Sequence, residues 1–497
     1  MTITSTTDLV NSIRNTSAFS DDQSISENLG VEKIPDTRVV NDIGGTVEIN
    51  EISLIVKSGQ KINLLDVYDG IAVEENIFST GIAGMIRIKD LVGGLEKFVI
   101  RGGETLIIKM SKPNNGGILI WREDLIVSKV GTGSHHLSSG GTLYALHFVS
   151  RSFVNSSKKN LFKSYGNQSL ANAVVDIYKK MSVNDLFIED PRITLQKPFI
   201  CTGISPHRAI DRLAQRSCSK DKYFVFFERF VPIYGNYPDN QPFSTSHYFG
   251  SIEKIINDAN NSRTPTIAYT TKTDANREPS YIRAINLKRR ANFNHIPAMQ
   301  YGLYNTTISS INPIERTVST QKLSYTDINE STRDFYENKM IDDINIFANY
   351  DDLNYEIPGR KVIVQSINDS VAKETWLKNN LFGQLTKTYF QISIDVEGAT
   401  NRIGVGHVIN FILPSTADNT LNIMGNFVTL DLLYSGKYLV TGVKHAIRSG
   451  KYLKTLELSR SSVPIDLNQD SINYSNIDEF SLTEQEIFDI FGNRRLP

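Results

Sequence analysis

The sequence predicts a mainly β protein with α+β insertions: two antiparallel β-barrel domains and an inserted α/β region. Three observations predict it. Segments alternating apolar and polar residues, bounded by Gly, Asn or Asp, recur in the first and last thirds of the chain. Helical spacing first enters at about residue 155. The strand-rich pieces at the two ends also repeat one another in order.

The clearest single element is the stretch "YLVTGVKHAIRSGKYLKTLELSR" (438–460). Ser449-Gly450 is a two-residue loop, glycine supplying the positive φ that a tight hairpin turn requires. It pairs Arg448 with Lys451, Ile447 with Tyr452, His445 with Lys454, Val443 with Leu456 and Thr441 with Leu458. Alternation then places Ile447, Val443, Tyr452, Leu456 and Leu458 on one face. Lys444, Arg448, Lys451, Thr455, Glu457 and Ser459 fall on the other, while Lys454 and Leu453 each sit on the face that does not suit them. His445 lies on the inward face, as a core or interface histidine.

The repeat joins this hairpin to the first third of the chain. Asn76-Ile77-Phe78 has a counterpart in Asn380-Leu381-Phe382, each followed by a strand closing on an acid, "MIRIKD" and "FQISID". A Gly-bearing turn leads to a second apolar strand, "RGGETLIIKM" and "IGVGHVINFI". Each unit ends in a hairpin running into Ser-Arg-Ser, at Ser150-Arg151-Ser152 and Ser459-Arg460-Ser461. The units span 76–154 and 380–463. Within the first, Ile86 and Ile88 share a face opposite Arg87 and Lys89, and Tyr144, Leu146 and Phe148 point one way.

Between them, "GNQSLANAVVDIYKKM" puts Leu170, Val174, Ile177 and Met181 at helical spacing. "SPHRAIDRLAQRSCS" opens on Ser205 as N-cap with Pro206 at the first helical position, and aligns Ile210, Leu213 and Ala214. "KYFVFFERF" follows as a buried strand. The expected organisation is an extended arm (1–44), a first barrel (45–154), an α/β insertion (155–235), and a loop-rich β segment (236–300) carrying "TPTIAYTT" and "YIRAINLKRR". A second barrel (301–463) carries helices over "STRDFYENKMIDDINIFANY" and "KETWLKNN" and a strand at "NFVTLDLL". An acidic tail (464–497) ends in a short helix, with Ser481 and Glu484 as a capping box.

Composition narrows the function classes. With 497 residues, 40% hydrophobic and 22% charged, the chain can bury several cores. A formal net charge of −1 gives no overall attraction to nucleic acid or anionic membrane. The two cysteines, Cys201 and Cys218, read as buried free thiols rather than a disulfide framework. The N-terminus lacks the basic start and apolar run of a signal peptide, and no segment has the length of a spanning helix. The expectation is a soluble, unsecreted protein assembled in a reducing cytosol.

No catalytic pattern emerges: the chain has no G-x-S-x-G elbow, Walker loop, H-E-x-x-H or zinc-spaced cysteines. His135-His136 reads as a flexible hairpin tip, because adjacent strand residues face opposite ways and chelate poorly. His207, in the first turn of a helix, and His407, in a strand, read as surface or interface positions. "NYDDLNYE" (349–356) lacks the ligand spacing of a calcium loop, and Lys288-Arg289-Arg290 reads as a solvated strand end. Catalytic, cofactor-binding and metal residues are therefore expected to be none, and the chain is read as a structural or interaction protein rather than an enzyme.

Three further quotations carry a resemblance: "NIFSTGIAGMIRIKD" (76–90) with "VIRGGETLIIKM" (99–110), "SPHRAIDRLAQRS" with "KYFVFFERF", and the closing hairpin through "SRSS". Over roughly residues 47–463 the sequence resembles the central baseplate hub protein of contractile-tailed bacteriophages and the hub portion of VgrG spike proteins. The resemblance implies two tail-tube-like barrels per chain and a homotrimer forming a pseudo-sixfold ring. It implies as partners the hexameric tail-tube ring, a trimeric spike protein, other baseplate proteins and the tape-measure protein, with DNA passing the lumen unbound. It places the chain in the virion tail baseplate, assembled in the host cytoplasm. The competing reading is a tail-associated carbohydrate-binding or glycan-hydrolysing β-protein, for which the Tyr-rich segment 223–248 is the nominee. A third is the hub of a phage-derived injection machine.

Overall fold

The computed structural model describes residues 45–90, 100–113, 118–136, 141–182, 186–193, 195, 198–217, 222–230, 247–260, 264–269, 281–292, 305–313, 316–324, 338–339, 360–365, 390–398, 403–414, 430–460 and 462–463. The expected arm 1–44, the helix over "KETWLKNN", Asn380-Leu381-Phe382, "NYDDLNYE", Cys218 and the tail 464–497 lie outside them, as does most of the Tyr-rich segment 223–248.

In chain order the elements are β1 (Gly45–Thr46), β2 (Glu48–Ile55), β3 (Lys61–Asn63), β4 (Tyr68–Asn76), β5 (Ala83–Asp90), β6 (Thr105–Ser111), β7 (Ile118–His136) and β8 (Gly141–Ser150). Then come α1 (Arg151–Ser157), β9 (Leu161–Tyr165), α2 (Leu170–Tyr178), β10 (Leu186–Ile188), β11 (Phe199–Ile204), α3 (Pro206–Ser217), β12 (Phe224–Glu228), β13 (His247–Ser251) and α4 (Ile252–Asn260). The last part holds β14 (Thr266–Tyr269), β15 (Ile282–Asn292), β16 (Asn305–Asn312), β17 (Thr317–Ser324), β18 (Asn338–Lys339), β19 (Arg360–Gln365), β20 (Phe390–Glu397), β21 (Val408–Ile412), β22 (Gly436–Arg448), β23 (Lys451–Ser459) and β24 (Ser462–Val463). The described fold is mainly β, with helices concentrated between the strand-rich ends.

The large sheet is two closed circuits sharing one hairpin. The second circuit runs β22–β21–β14–β15–β20–β23 and returns to β22. The first runs β2–β6–β7–β8–β5–β4–β22–β23 and closes through β1, which pairs Gly45 with Tyr452 and is separated from β2 by Val47 alone. The Val47 N–H donates to the Gly450 carbonyl at 2.8 Å, sealing that seam. The repeated units correspond strand for strand: β5–β8–β7–β6 in one circuit and β20–β23–β22–β21 in the other, all antiparallel.

The hairpin shows how one element serves two walls. Ser449 and Gly450 both have positive φ, 49° and 71°, the geometry of a tight turn that matches strand twist. Pairing follows the expected register from Arg448↔Lys451 to Val443↔Leu456 and then shifts. Leu458 pairs with Val440 rather than Thr441, because Thr441 is the extra residue of a β-bulge. A bulge bends its strand. Before it β22 pairs with β21, and after it with β4. The Thr441 carbonyl, freed from the ladder, accepts the Ile77 N–H at 3.0 Å.

Elsewhere several expectations need correction. β14 runs parallel to both β15 and β21, so the second barrel is not wholly antiparallel. The stretch 236–300 contains α4, whose Ile252, Ile255 and Ile256 are buried at helical spacing and whose Lys254 N–H is capped by the Ser251 hydroxyl at 3.2 Å. Within the helix expected over 331–350, Asn338–Lys339 is extended and pairs with Ser462–Val463, tertiary pairing overriding local periodicity. The expected strand 426–433 is, where described, a bridge at Leu430 followed by a turn in which the Ser435 N–H reaches the Asp431 carbonyl.

Three apolar cores result. One fills the first circuit, with Ile86, Ile88, Leu146 and Phe148 as expected. Another fills the second circuit and includes Val443, Leu456 and Leu458. The third packs α2 and α3 against the β9–β11 ribbon and β12, burying Leu170, Val174, Ile177, Met181, Ile210, Leu213 and Ala214. Each fully buried Leu or Ile contributes about 1.5–3 kcal/mol of transfer free energy.

Candidate functional site: a polar junction where three cores meet

The strand "FVFFERF" (224–230) touches every core. Phe224 and Phe226 belong to the core of the α/β insertion, Val225 and Phe227 to that of the second barrel, and Phe230 to that of the first. Glu228 and Arg229, buried between these apolar residues, must find polar partners where the cores abut. The hairpin is divided in the same way. On one face, Ile447 and Tyr452 at its tip enter the first core, while Val443 and Leu456 enter the second. The pair His445↔Lys454 lies between them, so polar residues form a septum between two hydrophobic interiors.

One Tyr–His–Glu relay occupies this septum, and a second Tyr–His–Glu cluster, which is not hydrogen-bonded throughout, lies where the insertion meets the first barrel. In the relay, the Tyr452 hydroxyl meets His445 Nδ1 at 2.7 Å and His445 Nε2 meets Glu75 Oε1 at 3.2 Å. Glu75 Oε2 accepts the Phe230 N–H at 2.7 Å, tying β4 of the first barrel to the end of the "FVFFERF" segment. Burial drives His445 down, so the neutral ring donates from Nε2 and accepts at Nδ1. Burial alone would raise Glu75, but its bonds from His445 and Phe230 and nearby Arg229 outweigh burial and hold it ionised. Lys454 reaches the Ile403 carbonyl at 3.1 Å, and burial pulls its ammonium down to about 7 against the attraction of Glu75.

In the second cluster, the Tyr178 hydroxyl meets His247 Nδ1 at 2.9 Å, and His247 Nε2 lies 3.7 Å from Glu228 Oε2, beyond hydrogen-bond distance. Glu228 is bound mainly to the first barrel: Ser150 Oγ donates at 2.5 Å, Ser152 Oγ at 3.1 Å and the Ile82 N–H at 3.4 Å. Arg122 lies 3.5 Å away on the other oxygen and is itself held by Asp124 at 2.7 Å. Burial pushes the Glu228 carboxyl up to about 7, with Arg122 and the two serines opposing and Asp124 assisting. Arg229 lies over the Phe227 ring, and Gly406 makes room for it: a Cβ there would come within 2.5 Å of Arg229 Nη2, at a φ of +68°.

The Ser-Arg-Ser motifs thus do different work in the two units. Ser150 and Ser152 bind Glu228. In the second motif Arg460 is buried, with Nη1 on the Ser435 carbonyl at 2.8 Å and its guanidinium over Phe390 and Tyr438.

The remaining sequence candidates are dispersed. His207 is buried rather than a surface position, stacked among Phe153, Phe226 and His247, and burial lowers it to about 3. The half-buried His407 immediately precedes β21, bonds with Gly404, and is driven down to about 4 by burial. His135 and His136 lie at the end of β7, opposite Thr142 and Gly141. Lys288 and Arg289 are exposed on β15, Arg289 facing Asp431 and the Tyr434 ring. Cys201 is a buried free thiol. Among the described residues no three His, Cys, Asp or Glu side chains gather as metal ligands, and no helix is long and apolar enough to cross a membrane. Sequence reasoning missed Glu75, Glu228 and His247. The signal for Glu228 and Arg229 was two charges embedded in an aromatic strand. For Glu75 and His247 there was none, since their partners lie 370 and 69 residues away.

The polar atoms of the relay and of the Glu228 cluster sit beneath packed side chains, an arrangement suited to fixing the relative positions of three cores. No protein-family model matches the chain, and no curated protein does. Its fold is similar to that of the 43 kDa tail protein of prophage MuSo2 from Shewanella oneidensis, at 11% identity and TM-score 0.48, covering 83% of this chain and 98% of that one. It is also similar to a tail protein from Neisseria meningitidis MC58, at 11% identity and TM-score 0.49, covering 84% and 97%. A third similar structure is the E. coli c3393 protein, a type VI secretion component described as structurally similar to T4 bacteriophage tail proteins gp27 and gp5. That likeness has 10% identity and TM-score 0.39, covering 84% of this chain and 77% of that one.

Proposed function

We propose that the chain is a structural baseplate hub protein of a contractile tail, without enzymatic activity. Three copies form a pseudo-sixfold ring that joins a hexameric tail tube to a trimeric spike and nucleates tail assembly. The observation that carries the reading is the matched strand order of the two circuits around one shared hairpin. A chain that holds two equivalent barrels rigidly side by side supplies six from three copies, and a head-to-tail interface that closes by rotation makes the ring. The buried Tyr452–His445–Glu75 relay supports it, because a symmetry adaptor requires its two barrels to keep a fixed relation under load.

In this reading the first barrel of one copy contacts the second barrel of the next, and the lumen passes the tape-measure protein and DNA without binding either tightly. The assembled particle belongs to the virion tail and forms in the host cytoplasm. The test is the mass of the purified full chain, followed by negative-stain imaging along the particle axis. A trimer with a six-lobed ring and a central hole is expected. A monomer, or a dimer without a pore, overturns the reading and turns attention to glycan binding and hydrolysis.

A further inference from the structure

The charge of the chain is unevenly spread. Residues 155–235 hold thirteen Lys and Arg against seven Asp and Glu, a net +6, which leaves −7 for the remainder of a chain of net −1. Within this insertion the cations collect on one side. Lys163 pairs with Cys201 across the β9–β11 ribbon, on the face that turns Leu161, Tyr165 and Phe199 into the core. At the open border of that face Lys163 and Lys180 converge on Asp176 at 3.0 and 3.4 Å, and Lys159 donates to the Lys180 carbonyl. From α3 the Arg216 guanidinium lies over the Phe199 ring, 4.9 Å from its centroid. Burial pushes the Cys201 thiol up, and Lys180, Arg212 and Arg216 all oppose it, so cations from just past α2 and from α3 act on one point. The exposed Phe162 and Ile200 lie on the opposite face of the ribbon and take no part.

The protein does not neutralise this cluster itself. Five cationic side chains, Lys159, Lys163, Lys180, Arg212 and Arg216, stand against two carboxylates, Asp176 and the Gln215-bound Asp211, so three positive charges are in surplus. Lys163 is half exposed, and Arg212 and Arg216 are exposed. Among the described residues no carboxylate pairs with Arg208, Arg212 or Arg216. These three stand at i, i+4 and i+8 on α3, a spacing at which like charges repel. A stripe kept against that local cost is the kind of rule-breaking that marks a surface used for binding.

The neighbours of the cations select the partner. Single-stranded nucleic acid is held by stacking its bases on open aromatic rings. Here Tyr165 and Phe199 are buried, with Lys163 over the first ring and Arg216 over the second. Asp176, bonded by Lys163 and by the Tyr165 hydroxyl at 2.9 Å, sits amid the cations and repels a continuous run of phosphates. A polypeptide can space its carboxylates on either side of Asp176 and meet the surplus charges separately.

We infer that the border formed by Lys159, Lys163, Lys180, Arg212 and Arg216 is the docking surface for an acidic polypeptide segment of another protein. The inference rests on the insertion alone and does not need the hub reading. The test is fluorescence anisotropy of a labelled peptide of alternating Glu and Ser, twelve residues long, titrated with the full chain. Binding is expected in about 50 mM salt and is expected to weaken at least tenfold in about 300 mM, because exposed charges are screened. Arg212→Glu/Arg216→Glu is expected to weaken it at least tenfold, and Lys57→Glu/Arg101→Glu, at exposed cations of the first barrel, to leave it unchanged. Asp176→Asn is expected to strengthen it severalfold, a gain that unfolding cannot produce. A peptide of alternating Lys and Ser is expected to bind Lys163→Glu/Arg212→Glu/Arg216→Glu and not the parent. Failure of the parent to bind the acidic peptide, or binding indifferent to Arg212 and Arg216, overturns the inference. So does tighter binding of a twelve-nucleotide single strand through the same residues at the same salt.

Discussion

Replacing Glu75 tests whether the polar septum holds the barrels together. Its carboxylate is buried and accepts two bonds, from the Phe230 N–H at 2.7 Å and from His445 Nε2 at 3.2 Å. Glu75→Ala strands both donors away from water, at about 1–3 kcal/mol each, so the expected loss is about 4 kcal/mol. Glu75→Gln keeps an acceptor for Phe230 and obliges His445 to change tautomer, for a smaller loss of about 1–2 kcal/mol. The assay is urea unfolding combined with exchange of the Phe230 and 442–447 amides, which report the junction locally even where global unfolding is not two-state. The folded carboxyl lies below its unfolded value. Its contribution is therefore present above the unfolded pKa of about 4.3 and disappears as pH falls through the lower folded pKa. The gap between parent and Glu75→Gln should accordingly close in acid. An alanine variant within about 0.5 kcal/mol of the parent, or a glutamine variant as damaged as alanine, refutes the septum argument.

Three other outcomes follow from the same geometry. Glu228 is raised to about 7, so the folded state holds an extra proton between about 4.3 and 7 and stability falls as pH rises across that window; Glu228→Gln should flatten the slope, removing a penalty of about 3 kcal/mol at pH 8 in denaturation curves. His207 is lowered to about 3, so its contribution is full above about 6.5 and is lost as pH falls towards 3; neither ring nitrogen has a hydrogen-bond partner among the described residues, so His207→Phe should be neutral or stabilising and should blunt acid unfolding followed by circular dichroism. Gly406→Ala should cost about 2 kcal/mol or more in melting experiments, since both its positive φ and the Arg229 guanidinium oppose a Cβ.

Much of the fold was legible because it rests on local rules. The Ser449-Gly450 turn, the alternation in β5 and β8, and the apolar stripe of α3 are decided by neighbours in sequence, and the structure follows them, although the His207 N–H in the first turn of α3 is taken by the distant Ser156 hydroxyl at 2.9 Å. The duplication was legible for the same reason, as two runs of strand and turn signals in one order. What escaped depended on distant partners. Thr441 leaves the register because β22 must serve β21 and then β4, which no pattern within 438–460 encodes. Lys454 sits on an inward face because Glu75 and the Ile403 carbonyl await it there. His207 looked like an ordinary first-turn polar residue, yet an aromatic stack from α1, β12 and β13 encloses it. The helix α4 was a different kind of miss, since Ser251 and the isoleucines at 252, 255 and 256 were visible and were outweighed by the loop-like composition around them.

The shared hairpin also governs the order of events during synthesis. β1 through β8 leave the ribosome early, yet their circuit closes only through β22 and β23, whose Glu75–His445 contact spans 370 residues. Until residue 459 has emerged, the nascent first barrel keeps two unzipped edges, and the second barrel does not yet exist. Both circuits then close on a single late event, a topology of very high contact order. A ribosome-stalled chain ending before Gly436 should therefore be protease-sensitive in both halves, and translation past the hairpin should protect the two together. The consequence is a proofreading of length: a prematurely terminated chain has no finished barrel to offer a growing assembly.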